Sequence, residues 1–237
     1  IDPRKDTKLH TVCIGAEPHS EEQRKRIEQL LGVKAYNCFG MSEMNGPGVA
    51  FECTEQNGLH IWEDNVIVEI VDPVTLQPVP EGEVGELVLT TINREAMPLL
   101  RYRTRDLTCI LPGDCPCGRT HKRLARFKGR SDDMIILKGV NLFPIQIEKI
   151  LMQFKELGSN YLITLETIGN SDEMLIEVEL SDLFTDDYSA LQRLTKGITR
   201  QLKDELLLTP RIKLVAKGSL PTTDGKAVRV KDHRKLC

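Results

Sequence analysis

The sequence lacks the features of a membrane protein, an exported protein or a nucleic-acid-binding protein. No uninterrupted apolar run reaches the roughly 20 residues that a membrane-spanning helix needs, and the N-terminal stretch IDPRKDTKLH has no apolar signal-peptide core. The 32 basic and 35 acidic side chains leave a formal net charge of −3. This balance gives no electrostatic reason to expect nucleic acid or an anionic membrane as a partner. We therefore expect a cytoplasmic protein that binds neither.

The chain also lacks the cysteine pattern of a disulfide-stabilised protein. Seven cysteines are scattered along the 237 residues, and their odd number argues against a disulfide framework. Cys13, Cys38 and Cys109 lie in apolar runs, so we predict that they are small core residues. Internal repeats and low-complexity segments are absent as well. The length is that of one large or two smaller globular domains.

The beginning of the chain predicts a strand, a helix and a second strand. Residues 9–14 (LHTVCI) read as a buried strand, and the turn-forming GAEP follows. Ser20 begins a capping pattern with Gln23 three residues further on, and Gly32 is suited to the end of the helix. The next strand is predicted over 33–39. This order is typical of a fragment of an α/β layer. The apolar face of the helix is predicted to contain Ile27, Leu30 and Leu31.

Short β-rich runs separated by turn residues fill the middle of the chain. The runs at 66–71, 85–91 and 106–111 are rich in residues that favour strands, and the turn-rich DPVTLQPVPEGE joins the first two. We expect these runs to form a small antiparallel sheet or a small β-barrel. Together with the α/β layer they would form one domain over residues 1–130.

The rest of the chain has the pattern of a separate α+β domain, predicted over residues 131–237 with its boundary near Ser131 and Asp132. A hairpin at 127–144 leads into it, and Pro144 is suited to the first position of the following helix. The remaining predicted elements are two strands, a long helix and a strand, over 160–167, 173–180, 186–208 and 211–216.

Five short segments carry residue types suited to binding a nucleotide. They are GAEP at 15–18, FGMSE at 39–43, RYRTRD at 101–106, GRSDD at 129–133 and TTDGKAVRV at 222–230. Each one alone is common in turns and surface loops. In this order they resemble the motifs of the adenylate-forming superfamily, the acyl-CoA synthetases and their relatives, and they are most similar to those of the phenylacetate–CoA ligases. The resemblance covers nearly the whole chain.

The resemblance implies a site for ATP and AMP in the larger domain. The GAEP turn would lie beside the adenine, and Glu43 would be a catalytic residue that holds Mg²⁺ on the phosphates, because a hard cation prefers carboxylate oxygens. Asp106 would accept hydrogen bonds from both ribose hydroxyls. Gly40 and Gly46 would let the backbone approach the ligands closely. The implied nucleotide-binding residues are Gly15, Ala16, Glu17, Pro18, Phe39, Gly40, Ser42, Asp106 and Arg130.

Further roles are implied in the smaller domain and at its junction with the larger one. Lys226 would be the catalytic lysine between the carboxylate and the α-phosphate, where developing charge makes a preorganised cation most effective. Asp132 would be the hinge, and Gly139 would line the passage of the coenzyme A thiol, where a side chain would block it. The implied reaction joins an aryl acid, phenylacetate foremost, to AMP with release of pyrophosphate, and then transfers the acyl group to coenzyme A. The implied assembly is a homodimer.

The chain departs from the family pattern in two places. Phe39 stands where the family has tyrosine, so ring packing is kept and a hydroxyl contact is lost. The family's Ser/Thr/Gly-rich phosphate loop does not occur in this chain, and we expect it, with most of the acid pocket, upstream of residue 1. The expected fold is thus an incomplete adenylate-forming domain, an α/β layer plus a small β-barrel, followed by a small mobile α+β domain. We expect the chain to be inactive alone.

Cysteine and histidine residues of the β-rich region predict a metal site. Cys115 and Cys117 lie in the turn-forming CPCG, and the earlier loop-like ECTEQNGLH supplies Cys53 and His60. Three thiolates and an imidazole would complete a tetrahedral structural Zn²⁺ site. His121 is a competing ligand, and reduced loop cysteines without a metal are the alternative. We predict zinc, with a structural role.

Two other functions stay open. One is an enzyme that adenylates a different carboxylate, for example during surface-polysaccharide assembly. The other is a non-catalytic module that binds a nucleotide or is stapled by zinc for interaction. Lys226 and Asp106 stand in family order, which favours an enzyme.

Overall fold

Strands outnumber helices in the part of the chain that the structure describes. The structure is a computed structural model, and it describes residues 2–44, 46–169, 171–182, 187–222 and 227–234. The chain divides into unit 1, Ile1–Pro18 with Arg24–Asp133, and unit 2, His19–Gln23 with Met134–Cys237. The mixture of α/β and α+β architecture confirms the predicted fold class. None of the described helices combines the length and the apolarity that crossing a bilayer would require.

The N-terminal elements, up to residue 130, are two helices, a 3-10 helix and ten strands in the described residues. In chain order they are α1 Pro3–Asp6, β1 Thr11–Ile14, α2 Glu21–Leu31, β2 Lys34–Met41, η1 Ser42–Met44, β3 Gly46–Glu52, β4 Leu59–Ile61, β5 Val66–Val71, β6 Gly85–Thr91, β7 Tyr102–Thr108, β8 Ile110–Leu111, β9 Arg123–Leu124 and β10 Gly129–Arg130.

The predicted strand–helix–strand fragment is present. Strands β1 and β2 are parallel, as a helical crossover between them requires. The Gln23 backbone N–H donates to Ser20 Oγ at 3.2 Å, and Gly32 has φ +69° just after the last residue of α2. Both ends of the helix therefore follow the capping residues that the sequence predicts.

Two predictions about burial near these elements are wrong. Leu30 of α2 is 62% exposed, whereas Arg24 is buried, because Glu28 one turn away supplies an ion-pair partner at 3.3 Å. Cys109 is buried as predicted, but Cys13 is exposed. The reason is its position on β1, which is an edge strand of its sheet.

Two sheets form most of unit 1. The first has six strands in the order β1-β2-β3-β4-β9-β8, and the second has four in the order β10-β7-β6-β5. The second sheet is open in the described residues, with β5 and β10 at its edges, so the β-barrel expectation is wrong there. Closure would need more strands around a filled interior, and β10 is only two residues long. The common core is formed mainly by residues such as Leu59, Leu87, Leu89 and Leu124.

Unit 2 is built around a second hydrophobic core. Its elements are β11 Ile135–Leu137, β12 Val140–Leu142, α3 Pro144–Leu151, β13 Leu157–Ile168, β14 Ser171–Leu180, α4 Tyr188–Leu206, β15 Arg211–Val215 and β16 Val230–Asp232. Strands β11 and β12 form a hairpin, and the other four form a sheet in the order β15-β14-β13-β16. Pro144 begins α3, as predicted. Buried residues of α3, α4 and β13, among them Ile147, Ile163 and Ile198, fill this core.

Candidate nucleotide site and metal centre

The GAEP turn leaves β1 in close contact with the neighbouring strand β2. A Cβ added at Gly15 would lie 2.6 Å from Cys38 Sγ and 2.7 Å from the Cys38 carbonyl oxygen. Ala16, the next residue, has φ +70°, in the left-handed region that non-glycine residues seldom adopt. Close packing therefore requires glycine at the first position of the turn. The start of the turn is consequently packed directly against β2.

The FGMSE segment forms the end of β2 and the short helix η1. Met44 is buried and anchors η1, while Glu43 is half-buried and Ser42 is exposed. The guanidinium of Arg94, from the loop after β6, donates to the Glu43 carbonyl oxygen and to the Ala96 carbonyl oxygen. Sequence reasoning missed Arg94, because nothing in its local sequence indicates a partner 51 residues earlier.

Asp106 and Arg130 are directly opposite each other in the β7–β10 pairing. The Arg130 guanidinium lies 3.7 Å from Asp106 Oδ1 and donates to the Thr104 carbonyl oxygen at 3.1 Å. The Asp106 backbone N–H donates to the Thr104 hydroxyl, also at 3.1 Å, and this hydroxyl donates to the Leu87 carbonyl oxygen of β6. Buried Thr104 therefore fixes the backbone of the strand that presents Asp106.

Arg130 also binds the residue predicted as the hinge. Its Nε and Nη2 donate to the two carboxylate oxygens of Asp132, each at 2.9 Å. This bidentate pair lowers the pKa of Asp132 below its ordinary value, and burial raises the pKa of neighbouring Asp133. One guanidinium therefore joins the β7 carboxylate to the segment that follows β10.

An aromatic contact links the FGMSE segment to Phe127, which lies just before the GRSDD segment in unit 1. The ring of Phe127 lies 4.5 Å from the ring of Phe39, centroid to centroid, and both rings pack against the core of the unit. Phe39 therefore keeps the ring packing that the sequence predicts. Phe127 precedes Arg130 by three residues, so the contact joins the FGMSE segment to the residue run that leads into β10.

Four side chains predicted as zinc ligands lie together in unit 1. The ligand atoms of Cys53, His60, Cys115 and Cys117 are all within 4.8 Å of one another. Cys53 Sγ is 3.6 Å from Cys115 Sγ, and Cys117 Sγ is 3.4 Å from His60 Nε2. With Zn–S near 2.3 Å and Zn–N near 2.0 Å, the ligand atoms of a tetrahedral site lie about 3.5–3.8 Å apart. The spacing therefore fits a zinc ion.

Hydrogen bonding prepares His60 to be a ligand through Nε2. Its Nδ1 is 3.2 Å from the His121 carbonyl oxygen, which can only accept a hydrogen bond, so Nδ1 carries the proton. Burial lowers the pKa of His60, which favours the neutral imidazole that metal binding requires. The imidazole of His121, the competing ligand, is exposed and is not among the four gathered groups.

The thiols of the cluster differ in their readiness to ionise. Burial raises the pKa of Cys53 to about 11. The Arg119 backbone N–H donates to the Cys117 sulfur and lowers the pKa of that thiol to about 7. Of these two thiols, Cys117 therefore more readily supplies a thiolate to an arriving cation.

Two predicted functional residues lie in unit 2. Gly139 has φ +81° in the turn between β11 and β12, and the space that a Cβ would enter there is open. Lys226 lies outside the described residues, and the structure adds nothing to its predicted role.

Family models match two long stretches of the chain. The AMP-binding enzyme model matches residues 2–93, and the model of the AMP-binding enzyme C-terminal domain matches residues 139–234. The chain belongs to the AMP-binding enzyme family. It is similar to the phenylacetate-coenzyme A ligase of Thermus thermophilus, with 43% identity over 96% of this chain and 54% of that protein. The phenylacetate-coenzyme A ligase of Pseudomonas putida is 44% identical over 99% of this chain and 53% of that protein.

A solved structure supports the same relationship. The crystal structure of 2-hydroxyisobutyryl-CoA ligase in the postadenylation state, in complex with R3-HIB-AMP, has a TM-score of 0.90 and 31% sequence identity. The match covers 98% of this chain and 50% of that chain. The chain thus spans about half the length of the relatives that it matches.

Proposed function

We propose that this chain is part of an ATP-dependent ligase that activates an aryl acid, with phenylacetate as the favoured substrate. In the first step the acid carboxylate attacks the α-phosphate of ATP, which forms an acyl adenylate and releases pyrophosphate. In the second step the coenzyme A thiol attacks the acyl carbon, and AMP leaves. Catalysis in such a reaction depends chiefly on positioning and charge stabilisation.

The placement of Asp106 opposite Arg130 is the observation that carries this proposal. A carboxylate on a fixed strand can accept hydrogen bonds from two ribose hydroxyls. The nearby guanidinium can contact a ribose oxygen or a phosphate. The GAEP turn and Phe39 would bind the adenine and the adjoining AMP. The identity of 43–44% to two phenylacetate-coenzyme A ligases supports the choice of reaction and of acid.

Two charged residues would act on the phosphates. Glu43 would supply one carboxylate oxygen to Mg²⁺, which usually completes its shell with phosphate oxygens and water. When bound, Mg²⁺ neutralises phosphate charge. Lys226 would place its ammonium between the acid carboxylate and the α-phosphate and stabilise the charge that develops there. Arg94 would keep η1 in place through its contact with the Glu43 carbonyl oxygen.

We also propose the two domains that the sequence predicts, residues 1–130 and 131–237. Asp132 would be the hinge between adenylation and thioester formation, and Gly139 would leave room for the coenzyme A thiol. Its positive φ and open surroundings support this role, because any larger residue would be strained and would narrow the passage. The family resemblance favours a homodimer.

We further propose that the Cys₃His cluster holds one structural Zn²⁺. A soft, borderline cation suits three thiolates and one imidazole, and the His60–His121 hydrogen bond fixes the ligand orientation. All four protein ligands are used, so no open position is left for catalysis. The ion would therefore support the fold of the β-rich region.

The test of the ligase function is acid-dependent release of AMP from ATP and coenzyme A. It should be run with phenylacetate, benzoate and short fatty acids. One sample is this chain, and a second is a chimera that adds the half of a curated relative that this chain does not match. Release that is strongest with phenylacetate supports the proposal. If AMP release is strongest with another acid, the enzyme adenylates a different carboxylate. Nucleotide binding without release for any acid would favour the non-catalytic module.

A further inference from the structure

The metal centre and the candidate nucleotide site are linked by one continuous run of chain, residues 123–131, which we call the connecting run. It begins in β9, where Arg123 is the register partner of His60 on β4. The buried guanidinium of Arg123 donates to the carbonyl oxygens of Asn57, at 2.9 Å, and Gly113, at 3.1 Å. Arg123 therefore ties together the two loops that supply metal ligands.

Beyond β9 the connecting run is hydrogen-bonded to β7, the strand that carries Asp106, and to Cys109 directly after that strand. The Ala125 backbone N–H donates to the Cys109 carbonyl oxygen at 2.8 Å, and the Lys128 N–H donates to the Leu107 carbonyl oxygen, also at 2.8 Å. The run then enters β10. Backbone hydrogen bonds therefore hold the connecting run along its length, with no more than a few residues between one bond and the next.

Two side chains of the connecting run belong to the candidate nucleotide site. Phe127 packs on Phe39 of the FGMSE segment. Arg130 lies opposite Asp106 and carries the contacts to Thr104 and Asp132. A displacement of the connecting run would therefore move both the Phe127 ring and the Arg130 guanidinium.

The strands that hold this region are too short to be stable alone. Strands β8, β9 and β10 have two residues each, whereas strands in globular proteins usually have about five or six. Short ladders with exposed connections open locally at low free-energy cost. The segment between β8 and β9 holds Cys115 and Cys117, and an ion shared with Cys53 and His60 would close it onto β4.

We infer that metal occupancy of the Cys₃His cluster controls the nucleotide site through the connecting run. With zinc bound, β9 is fixed on β4, and Phe127 and Arg130 are positioned. Without it, the β8–β9 connection opens and the order of the run is lost with it. The short ladders of β8, β9 and β10 are the element with two states, ordered and open. Occupancy of the metal cluster and occupancy of the nucleotide site would each shift the equilibrium between these states. The inference rests on the proposed function for the zinc ion in the cluster and for the identity of the ligand near Asp106.

Hydrogen exchange measured by mass spectrometry tests the coupling on the chain itself. The chain is stripped with a chelator, and one portion is reloaded with one equivalent of Zn²⁺. We expect amides of 123–131 to exchange about tenfold more slowly, or more, in the zinc form, with little change in β13–β14. Zinc protection confined to 53–60 and 113–122 would overturn the inference. Failure to bind zinc, or equal protection in β13–β14, would overturn it too.

Matched variants separate the metal from its neighbours. In the Cys117→Ser variant, the amides of residues 123–131 should exchange as fast as in the stripped protein even with zinc present. Cys13 is an exposed cysteine outside the cluster, so the Cys13→Ser variant should show the exchange rates of the wild type. Phe127→Leu should keep zinc protection near β9 and lose the slow exchange around Phe39. If Cys117→Ser does not fold, the zinc titration of the wild type decides the question.

Binding of a fluorescent AMP analogue separates this inference from the proposed function. We expect the stripped chain to bind it about fivefold more weakly, or more, than the zinc form. Equal affinity in both forms would overturn control by the metal. If neither form binds the analogue, the proposed nucleotide site fails, and the exchange of residues 123–131 alone decides whether the metal orders the run.

Discussion

Arg130 binds Asp132 through two hydrogen bonds of 2.9 Å while its guanidinium lies 3.7 Å from Asp106. The shorter, bidentate contact is the stronger of the two, because charge-assisted hydrogen bonds of this geometry are directional and close. Arg130 therefore has one partner in β7, the proposed ribose-binding carboxylate of Asp106, and another at the proposed hinge. A nucleotide phosphate that enters the site would compete with Asp132 for the same donors.

Replacement of Arg130 tests its place in the nucleotide site. We expect Arg130→Gln to weaken binding of an AMP analogue by about 10- to 100-fold, because hydrogen bonds to charged groups contribute about 1.5–3 kcal/mol. The matched control is Arg101→Gln, in the same RYRTRD segment. Arg101 is exposed and pairs with Glu69, so its loss should change the affinity little. Equal losses in the two variants would contradict the role of Arg130.

Close packing at Gly15 gives a stability prediction. Gly15→Ala should lower the free energy of unfolding by about 1–3 kcal/mol, since the new methyl group overlaps Cys38 and overpacking has this cost. Gly48→Ala is the control, because the nearest atom to its added Cβ is 3.9 Å away. Urea unfolding of both variants measures the effect. Equal stability of the two variants would show that the GAEP turn adapts without cost.

Lys226 should act in one half-reaction. Lys226→Ala in the active chimera is expected to slow adenylation by about 100- to 1,000-fold, as loss of a preorganised charge at a reacting centre does. Thioester formation from a preformed acyl adenylate should be affected less. Lys231→Ala, in β16 with its side chain exposed, is the matched control. An equal loss in both half-reactions would mean that the lysine role is misassigned.

The sequence predicts this fold best where local pattern and burial agree. Strands β5 and β6 begin and end at the predicted residues, because runs of β-branched residues bounded by turns predict a strand and no other element. Strand β7 begins at Tyr102, four residues before the predicted start. Within this strand Arg103 binds fully buried Glu86 with two hydrogen bonds, which the sequence analysis does not predict. The ion pair joins a partly exposed arginine to a buried carboxylate, and the local sequence of neither residue indicates it.

In the candidate sites too, some residues could be predicted from the local sequence and others could not. Spacing and residue type were sufficient to predict the four members of the Cys₃His cluster, because few roles need three thiols and an imidazole in loops. Arg94 and Thr104 were missed, since the side chain of each donates to a backbone carbonyl oxygen of another element, Glu43 for Arg94 and Leu87 for Thr104. Such contacts depend on the approach of strands that are distant in the sequence. The roles of Lys226, Glu43 and Asp106 stay predictions.

Zinc should bind with one ion per chain and stabilise the protein. At a free zinc concentration about 100-fold above Kd, linkage predicts about 2.7 kcal/mol of added stability, and a chelator should remove it. Elemental analysis gives the stoichiometry, and the fluorescence of Trp62, the only tryptophan and two residues after His60, should report binding. His121→Ala should keep the ion, because the His121 atom that hydrogen-bonds His60 is a backbone carbonyl oxygen, which alanine retains. A metal-free protein with full stability would exclude a structural site.

The last prediction concerns pH and the C-terminal strand β16. The Arg234 side chain hydrogen-bonds Asp232 and lowers the pKa of this carboxyl below its ordinary value of 3.8. Arg234 also contacts Asp172 and the Ile136 carbonyl oxygen, so it attaches β16 to two neighbouring elements of unit 2. We expect Arg234→Gln to lower the free energy of unfolding by about 1 kcal/mol at pH 7, discounted for the partial exposure of Asp232.

The sign of the pH effect follows from the lowered pKa of Asp232. A carboxyl group whose folded-state pKa is depressed contributes stability that is fully present above the unfolded-state pKa and is lost as the pH falls through the folded-state pKa. Arg234 stays charged throughout. The stability difference between the wild type and Arg234→Gln should therefore be constant above about pH 5 and shrink below the ordinary value of 3.8. Urea unfolding of both proteins from pH 7 to pH 2.5 measures this difference in the free energy of unfolding. A difference that does not change with pH would mean that Arg234 stabilises β16 through the Ile136 contact rather than through charge.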